Sequence, residues 1–533
     1  MNTIKKNTTL RLLMILTVMA LLLGLTGGMP STVVAQEASY IVQATNTELA
    51  VELVTSHGGE ITSRLDIIHA VAAKLSSEEV AQLRLAKGII AITANGSVNS
   101  SDEGQSAVQS TNTKRDKGEG APSTDYPNVV GADQVWAKGI NGTGVTVAVL
   151  DTGLGGQLTQ LTKTIKGKSG RIVGWADFIS GSHKPIDPNG HGSHVAGIIA
   201  NSEKGDDGEW NGVAPGVNLV GVRVLNEQGA GSYESVISGL QWVLENKDKY
   251  DIKVVNLSLV ALVQSPYWAD PIDQAVTAAW ANGLTVIVAA GNNGPEAMTI
   301  SVPGNNPYVV TVGAFTDNFT PEDWTDDYIA PFSAAGPTLD GFVKPDLVAP
   351  GGHIVSVTPD ESFLANEYPD NTLKGNYFKL AGTSMSTGVV SGIAALVLSA
   401  DKKLTPDQVK YRLTYSALPW VDESFNNTTY SMFQQGAGRA NAPEAVLSKT
   451  KQSANQGMDI NADLAGATHY EGYAYYDNNT GTYHLRDPFS DWNDGYATWD
   501  GKSGAWSGKF GTWSGKSGAW SGKSGAWSGK SGA

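Results

Sequence analysis

The run Gly144-Val145-Thr146-Val147-Ala148-Val149-Leu150 is apolar at nearly every position rather than at every second one, and it stops at Asp151-Thr152-Gly153. A strand with one wet face alternates, so an unbroken β-branched run belongs to a sheet covered on both faces, as parallel sheets with helical crossovers are. Similar runs recur from Leu219 to Val224, Ile252 to Leu257, Leu284 to Ala289 and Tyr308 to Val312, with helical patterns from Tyr233 to Asn246 and Ile272 to Ala281. This alternation predicts an α/β fold: a doubly wound, mainly parallel sheet with helices on both faces and ligands at the carboxyl ends of its strands. Thr405-Pro406-Asp407-Gln408 opens a further helix with a cap and a first-turn proline, and the domain is expected to span 126–447.

The chain has 533 residues, more than one ordinary core, so several units are expected. Residues 1–35 read as a secretory signal: Lys5, Lys6 and Arg11 precede an apolar stretch from Leu12 to Leu25, and Val33-Val34-Ala35 offers a small-residue cleavage site. That stretch is shorter than the roughly 20 residues a membrane span needs, and no later stretch reads as apolar enough to span. A secreted, extracellular protein without membrane association after signal removal is expected. A net charge of −15 argues against nucleic acid as a partner. The absence of cysteine excludes disulfides, thiolate metal sites and a sulfur nucleophile, so a nucleophile here must be an oxygen.

Residues 36–98 form a small α+β unit, with strands from Tyr40 to Ala44, Ile67 to Leu75 and Ile89 to Ala94 and helices from Glu48 to His57 and Ser77 to Leu85, read as βαββαβ. Residues 99–125 are a polar, cleavable linker with little to bury, and 448–484 a polar Tyr/Asn-rich connector. In the tail, 485–533, Trp492, Trp499, Trp506, Trp513, Trp520 and Trp527 recur every seven residues. Gly and Ser between them rule out a coiled coil. A stack of short turns with a tryptophan ridge, or a flexible tail, fits the period, and the six rings suggest binding to a surface or glycan.

Chemistry concentrates in four places. Gly382-Thr383-Ser384-Met385-Ser386 opens a long Ala/Val-rich run, which puts Ser384 at a helix N-terminus where N–H groups favour developing negative charge. An isolated serine there is usually only a cap. His191 lies in Asn189-Gly190-His191-Gly192-Ser193-His194, where the glycines permit close backbone approach. Two histidines three apart also raise a metal reading, but no His-Glu-x-x-His pattern and no carboxylate at ligand spacing accompany them, and His194 reads as structural. Asp151 ends a central strand, where an acid can be held beside a histidine; alone it is a turn residue. One Asp-Thr-Gly cannot make an aspartic-protease dyad, which needs two. Ala290-Gly291-Asn292-Asn293-Gly294 ends another strand and offers a side-chain amide to an oxyanion.

Asp151, His191, Asn292 and Ser384 follow the order Asp…His…Asn…Ser, and the sequence resembles a subtilisin-like serine peptidase (a subtilase) from about Tyr126 to Leu447. Val149-Leu150-Asp151-Thr152-Gly153, His191-Gly192-Ser193-His194-Val195-Ala196-Gly197 and Gly382-Thr383-Ser384-Met385-Ser386 are similar to that family's three signature blocks. The resemblance implies that Ser384 attacks a peptide carbonyl, His191 shuttles the proton, Asp151 orients the imidazole, and Asn292 with the Ser384 N–H holds the oxyanion. It implies a secreted endopeptidase acting on polypeptide substrates and made as a zymogen whose propeptide, residues 36–98, helps folding and inhibits. It further implies that Gly229, Ala230 and Gly231 on one side and Ser258, Leu259 and Val260 on the other clamp an extended substrate, with Ser301 at the floor of the first pocket. No cofactor is needed for catalysis; subtilases commonly bind calcium for stability, and Asp206, Asp207 and Glu209 are the candidate ligands, against the plainer reading of a solvated acidic loop. Two positions depart from the family: Val260 replaces a glycine, and Thr387-Gly388-Val389 replaces Thr-Pro-His. The other class of reading is a secreted binding protein on an inactive peptidase fold, working through its Trp-rich tail.

Overall fold

The computed structural model describes residues 37–100, 121–422, 427–428, 430–485, 512–513 and 527–528. The secretory segment, most of the linker and nearly all of the tail therefore lie outside the described residues.

The N-terminal unit folds around strands β1 (Ala38–Ala44), β2 (Glu60–Leu65), β3 (Ala70–Leu75) and β4 (Ile89–Ala94) and helices α1 (Thr47–Ser56) and α2 (Ser77–Leu83). The strands form an antiparallel sheet in the order β2-β3-β1-β4. Ser76 and Glu79 close a capping box on α2, and Asn46 caps α1. The expected strand from Ile67 begins instead at Ala70. Asp66–Ile68 is a 3₁₀ turn ended by His69 at φ 56°, so Ile67 and Ile68 belong to a turn, and the second strand lies upstream at Glu60–Leu65. That strand alternates polar and apolar residues with one side wet, a weaker signal than an apolar run.

The large domain is built on β6 (Thr146–Asp151), β7 (Ile172–Asp177), β8 (Asn218–Arg223), β10 (Ile252–Leu257), β12 (Thr285–Ala289), β13 (Val310–Thr316), β14 (Tyr328–Ile329) and β15 (Leu347–Pro350). They make an eight-stranded sheet in the order β14-β13-β12-β10-β6-β8-β7, with β15 beside β13. Every pair is parallel except β13 with β14. All residues of β6 and β12 are buried, as the unbroken apolar runs require.

Helices α3 (His191–Ala200) and α6 (Thr383–Ala400) pack together on the sheet, as do α4 (Tyr233–Tyr250) and α5 (Pro271–Ala281). Gly388 makes the first pairing close: a Cβ there would stand 3.1 Å from the Ile198 side chain. This gives a physical reason for the glycine at one of the two departures. Helix α6 corrects one expectation. It is long and apolar enough to cross a membrane, with a mean hydropathy of 1.5, yet 89% of it is buried, so its apolarity is that of a core helix.

The connector is also more than a polar link. Helix Ile460–Leu464 packs on α5, and Asp463 accepts hydrogen bonds from Tyr267 Oη at 2.6 Å and Tyr308 Oη at 2.7 Å. A hairpin of Ala474–Asp477 with Thr482–Leu485 follows, and Tyr483 and Leu485 pack against a small cluster around Phe433. Packing thus continues past the expected boundary at Leu447, because a few aromatic and aspartate side chains anchor an otherwise polar segment.

Candidate active site

Asp151 is the last residue of β6, and His191 the first of α3. The His191 Nδ1–H donates to Asp151 Oδ1 at 2.7 Å, and neither side chain has any exposed surface. Burial pushes the Asp151 carboxyl up, while His191 and the Thr152 N–H pull it back. Glycine is what allows the approach. A Cβ on Gly192 would stand 2.2 Å from Gly153 O, and one on Gly153, at φ 135°, 1.9 Å from Ile186 O.

A residue that sequence reasoning missed fixes this corner. The Asp187 carboxylate accepts from Thr152 Oγ1 at 2.8 Å, Gly190 N–H at 2.9 Å, Ser193 N–H at 2.7 Å and Ser193 Oγ at 2.6 Å. It ties the turn after β6 to the first turn of α3, where it also meets the positive end of the helix. Its only signal in the sequence is its place in Asp187-Pro188-Asn189-Gly190, directly before His191.

Ser384 is the second residue of α6. Its Oγ donates to Ser258 O at 3.2 Å, and the Ser258 Oγ donates in return to Ser384 O at 3.0 Å. Asn292 follows β12, and its Oδ1 accepts from both the N–H and the Oγ1 of Thr383 at 2.9 Å. With the oxygen so engaged, the amide nitrogen is fixed as the donor end beside the start of α6, as an oxyanion partner requires. Met385, the next residue, is wholly buried.

The two expected clamp segments are brought together by the chain itself. Strand β5 (Ser97–Ser100) lies antiparallel between β9 (Ala230–Ser232) and β11 (Leu259–Val260), in the order β11-β5-β9. Val98 pairs with Gly231, Asn99 with Ala230 and Val260, and Ser100 with Leu259, while the Ser100 N–H donates to Gly229 O at 2.8 Å. The first residues of the expected linker are therefore an ordered strand. A glycine is not needed at Val260, because the pairing with Asn99 runs through its backbone. Ser301 is buried beside Gly291, whose added Cβ would stand 2.6 Å from the Ser301 Oγ.

Other candidates fall away from this centre. His194 Nε2 lies 3.0 Å from Phe378 O, and burial pushes its imidazole down to about 3, so it stands neutral and donates to that carbonyl. Asp206, Asp207 and Glu209 are exposed, and their carboxylates do not form a close group of three ligand atoms. Asp207 Oδ1 instead accepts the Glu209 N–H at 2.9 Å, which closes a local turn, and Lys204 Nζ binds Gly208 O.

Comparison with known proteins follows the same outline. A model of the subtilase family matches residues 142–457. Serine protease AprX of Bacillus subtilis (strain 168) is 41% identical over 312 residues, covering 58% of this chain and 67% of that protein. Subtilisin DY of Bacillus licheniformis is 35% identical over 291 residues, covering 54% and 89% respectively. Among solved structures, fervidolysin from Fervidobacterium pennivorans, a keratinolytic enzyme related to subtilisin, has the same fold with a TM-score of 0.58 at 20% identity, covering 80% of this chain and 63% of that one.

Proposed function

The chain belongs to the subtilase family and is a serine-type endopeptidase, and on that footing we propose that it works through Ser384, His191 and Asp151 as a self-processed, secreted zymogen. Ser384 Oγ attacks the scissile carbonyl while His191 takes its proton and later gives it to the leaving amine. Asp151 holds the imidazole tautomer that makes this transfer possible and stabilises the imidazolium. The Asn292 amide and the Ser384 N–H, at the positive end of α6, receive the oxyanion. Loss of that amide is expected to lower kcat about 10²–10³-fold, the scale already established for the equivalent group of subtilisin.

The observation that carries the reading is β5. It fills the cleft as an added strand, paired on both sides by backbone bonds that are blind to side chains. Ser100 pairs with Leu259, and the next cleft residue, Ser258, has its carbonyl 3.2 Å from Ser384 Oγ. The first cut is accordingly expected in the bonds immediately after Ser100. The inhibitory propeptide, expected over residues 36–98, runs on through β5 to Ser100, and that strand is the first substrate. Backbone recognition favours broad specificity toward polypeptides. The Trp-rich tail is proposed to hold the mature enzyme on a surface or glycan, and no cofactor takes part in the bond cleavage.

Ser384→Ala tests the proposal. The variant should secrete an uncleaved precursor without activity on casein, whereas N-terminal sequencing of the parent product should place the cut within a few residues after Ser100. Activity in the purified variant, or a precursor still cut at the same bond, would overturn the assignment.

A further inference from the structure

Asp125, Asp317 and His353 converge so that one ligand atom from each lies within 4.8 Å of the others, the one such group of three among the described residues. Asp125 directly precedes the short helix Tyr126–Val129, Asp317 follows β13, and His353 stands ahead of strand β16 (Ile354–Val357). Asp317 is 4% exposed and His353 9%, while Asp125 is half-buried.

The imidazole decides what the group is for. Its Nδ1 stands 3.2 Å from Thr316 Oγ1, a hydroxyl able to accept an Nδ1–H, and the Phe319 ring stacks on it at 3.8 Å, so its plane is fixed from outside the cluster. A ring that donates Nδ1–H to the threonine turns an Nε2 lone pair into the cluster. That atom is buried 2.7 Å from Asp317 Oδ1, yet no hydrogen bond of acceptable angle joins them. Two lone pairs held so close repel unless a cation lies off the line between them. A second carboxylate, Asp125, adds negative charge that one imidazolium could not balance.

We propose that Asp125, Asp317 and His353 bind a divalent cation of the zinc class. One imidazole and two carboxylates suit a borderline first-row ion, whereas calcium takes six to eight oxygens and no nitrogen. The hydrogen bond to Thr316 is the outer support that a metal-bound histidine needs. The ion clamps the first residues of the peptidase domain, where Thr124 and Tyr126 already bond to Asn211, onto the loops after β13 and before β16. It would hold that segment in place once the propeptide has been cut away.

The test uses the full-length chain carrying Ser384→Ala to prevent self-digestion, stripped with a chelator and titrated calorimetrically with zinc chloride and with calcium chloride. One equivalent of zinc should bind and raise the thermal midpoint by several degrees, and calcium should do neither. Asp125→Asn and His353→Gln should each weaken zinc binding by about a hundredfold with unchanged circular dichroism. Asp125 is half-buried and its amide is isosteric, so this variant carries the test if His353→Gln misfolds. No zinc uptake, uptake unchanged in the variants, or calcium in place of zinc would each overturn the proposal.

Discussion

Asp187→Asn isolates the residue that joins the acid-bearing turn to the histidine-bearing helix. The carboxylate accepts four hydrogen bonds, two on each oxygen, from Thr152, Gly190 and Ser193. An amide keeps one accepting oxygen and turns an NH₂ toward the other pair. Each pair contains one hydroxyl, which can rotate, and one main-chain N–H, which cannot. At least one buried N–H therefore loses its acceptor and faces another donor. A lost bond to a charged group costs about 1.5–3 kcal/mol, and the stranded N–H about 1–3 kcal/mol more. The sum, roughly 2.5–6 kcal/mol, should lower the thermal midpoint by about 4–9 °C for a domain of this size, measured at a fixed scan rate. Catalysis should suffer separately, because a 1 Å shift of a catalytic group can cost about a hundredfold. We expect kcat/KM for a chromogenic peptide to fall by about that factor, chiefly through kcat. A variant whose midpoint stays within about 2 °C and whose kcat/KM stays within threefold would refute the argument.

His194 should give the enzyme an acid-labile component. Its folded pKa, about 3, lies below its ordinary value near 6.5, so the fold favours the neutral ring; the benefit is complete above pH 6.5 and erodes by about 1.4 kcal/mol per unit as pH falls toward 3. His194→Gln, which keeps a donor for Phe378 O, should flatten the stability profile in that window relative to the parent, and parallel profiles would dismiss the histidine as the cause. Deletion of residues 485–533 should leave peptide hydrolysis intact while releasing the enzyme from cell walls, polysaccharide or insoluble protein; unchanged partitioning on all three would count against a binding tail.

Much of the architecture is local chemistry and is legible residue by residue. The β-branched runs name the buried parallel strands, Thr405 names a helix start, and the glycines around His191 name a place where backbones must approach. Where reading failed, the missing term was a partner. Helix α6 is as apolar as a membrane span, and only its packing against α3 and the sheet makes it a core helix. The segment after Leu447 is polar overall, but Asp463 finds two tyrosines that lie nearly two hundred residues or fewer upstream in the chain.

The sequence by itself determined the five adjacent central strands of the sheet, the family and the four residues proposed for catalysis, since these depend on residue type, spacing and order. Tertiary structure alone decided that Asp187 ties the turn of Asp151 to the helix of His191, that Asn99 and Ser100 pair between Ala230–Ser232 and Leu259–Val260 rather than belonging to a linker, and that Asp125, Asp317 and His353 meet. Each of those depends on distance between segments remote in the chain. A carboxylate's worth is set by which donors or charges the fold places within about 3 Å of it, and no local pattern encodes that.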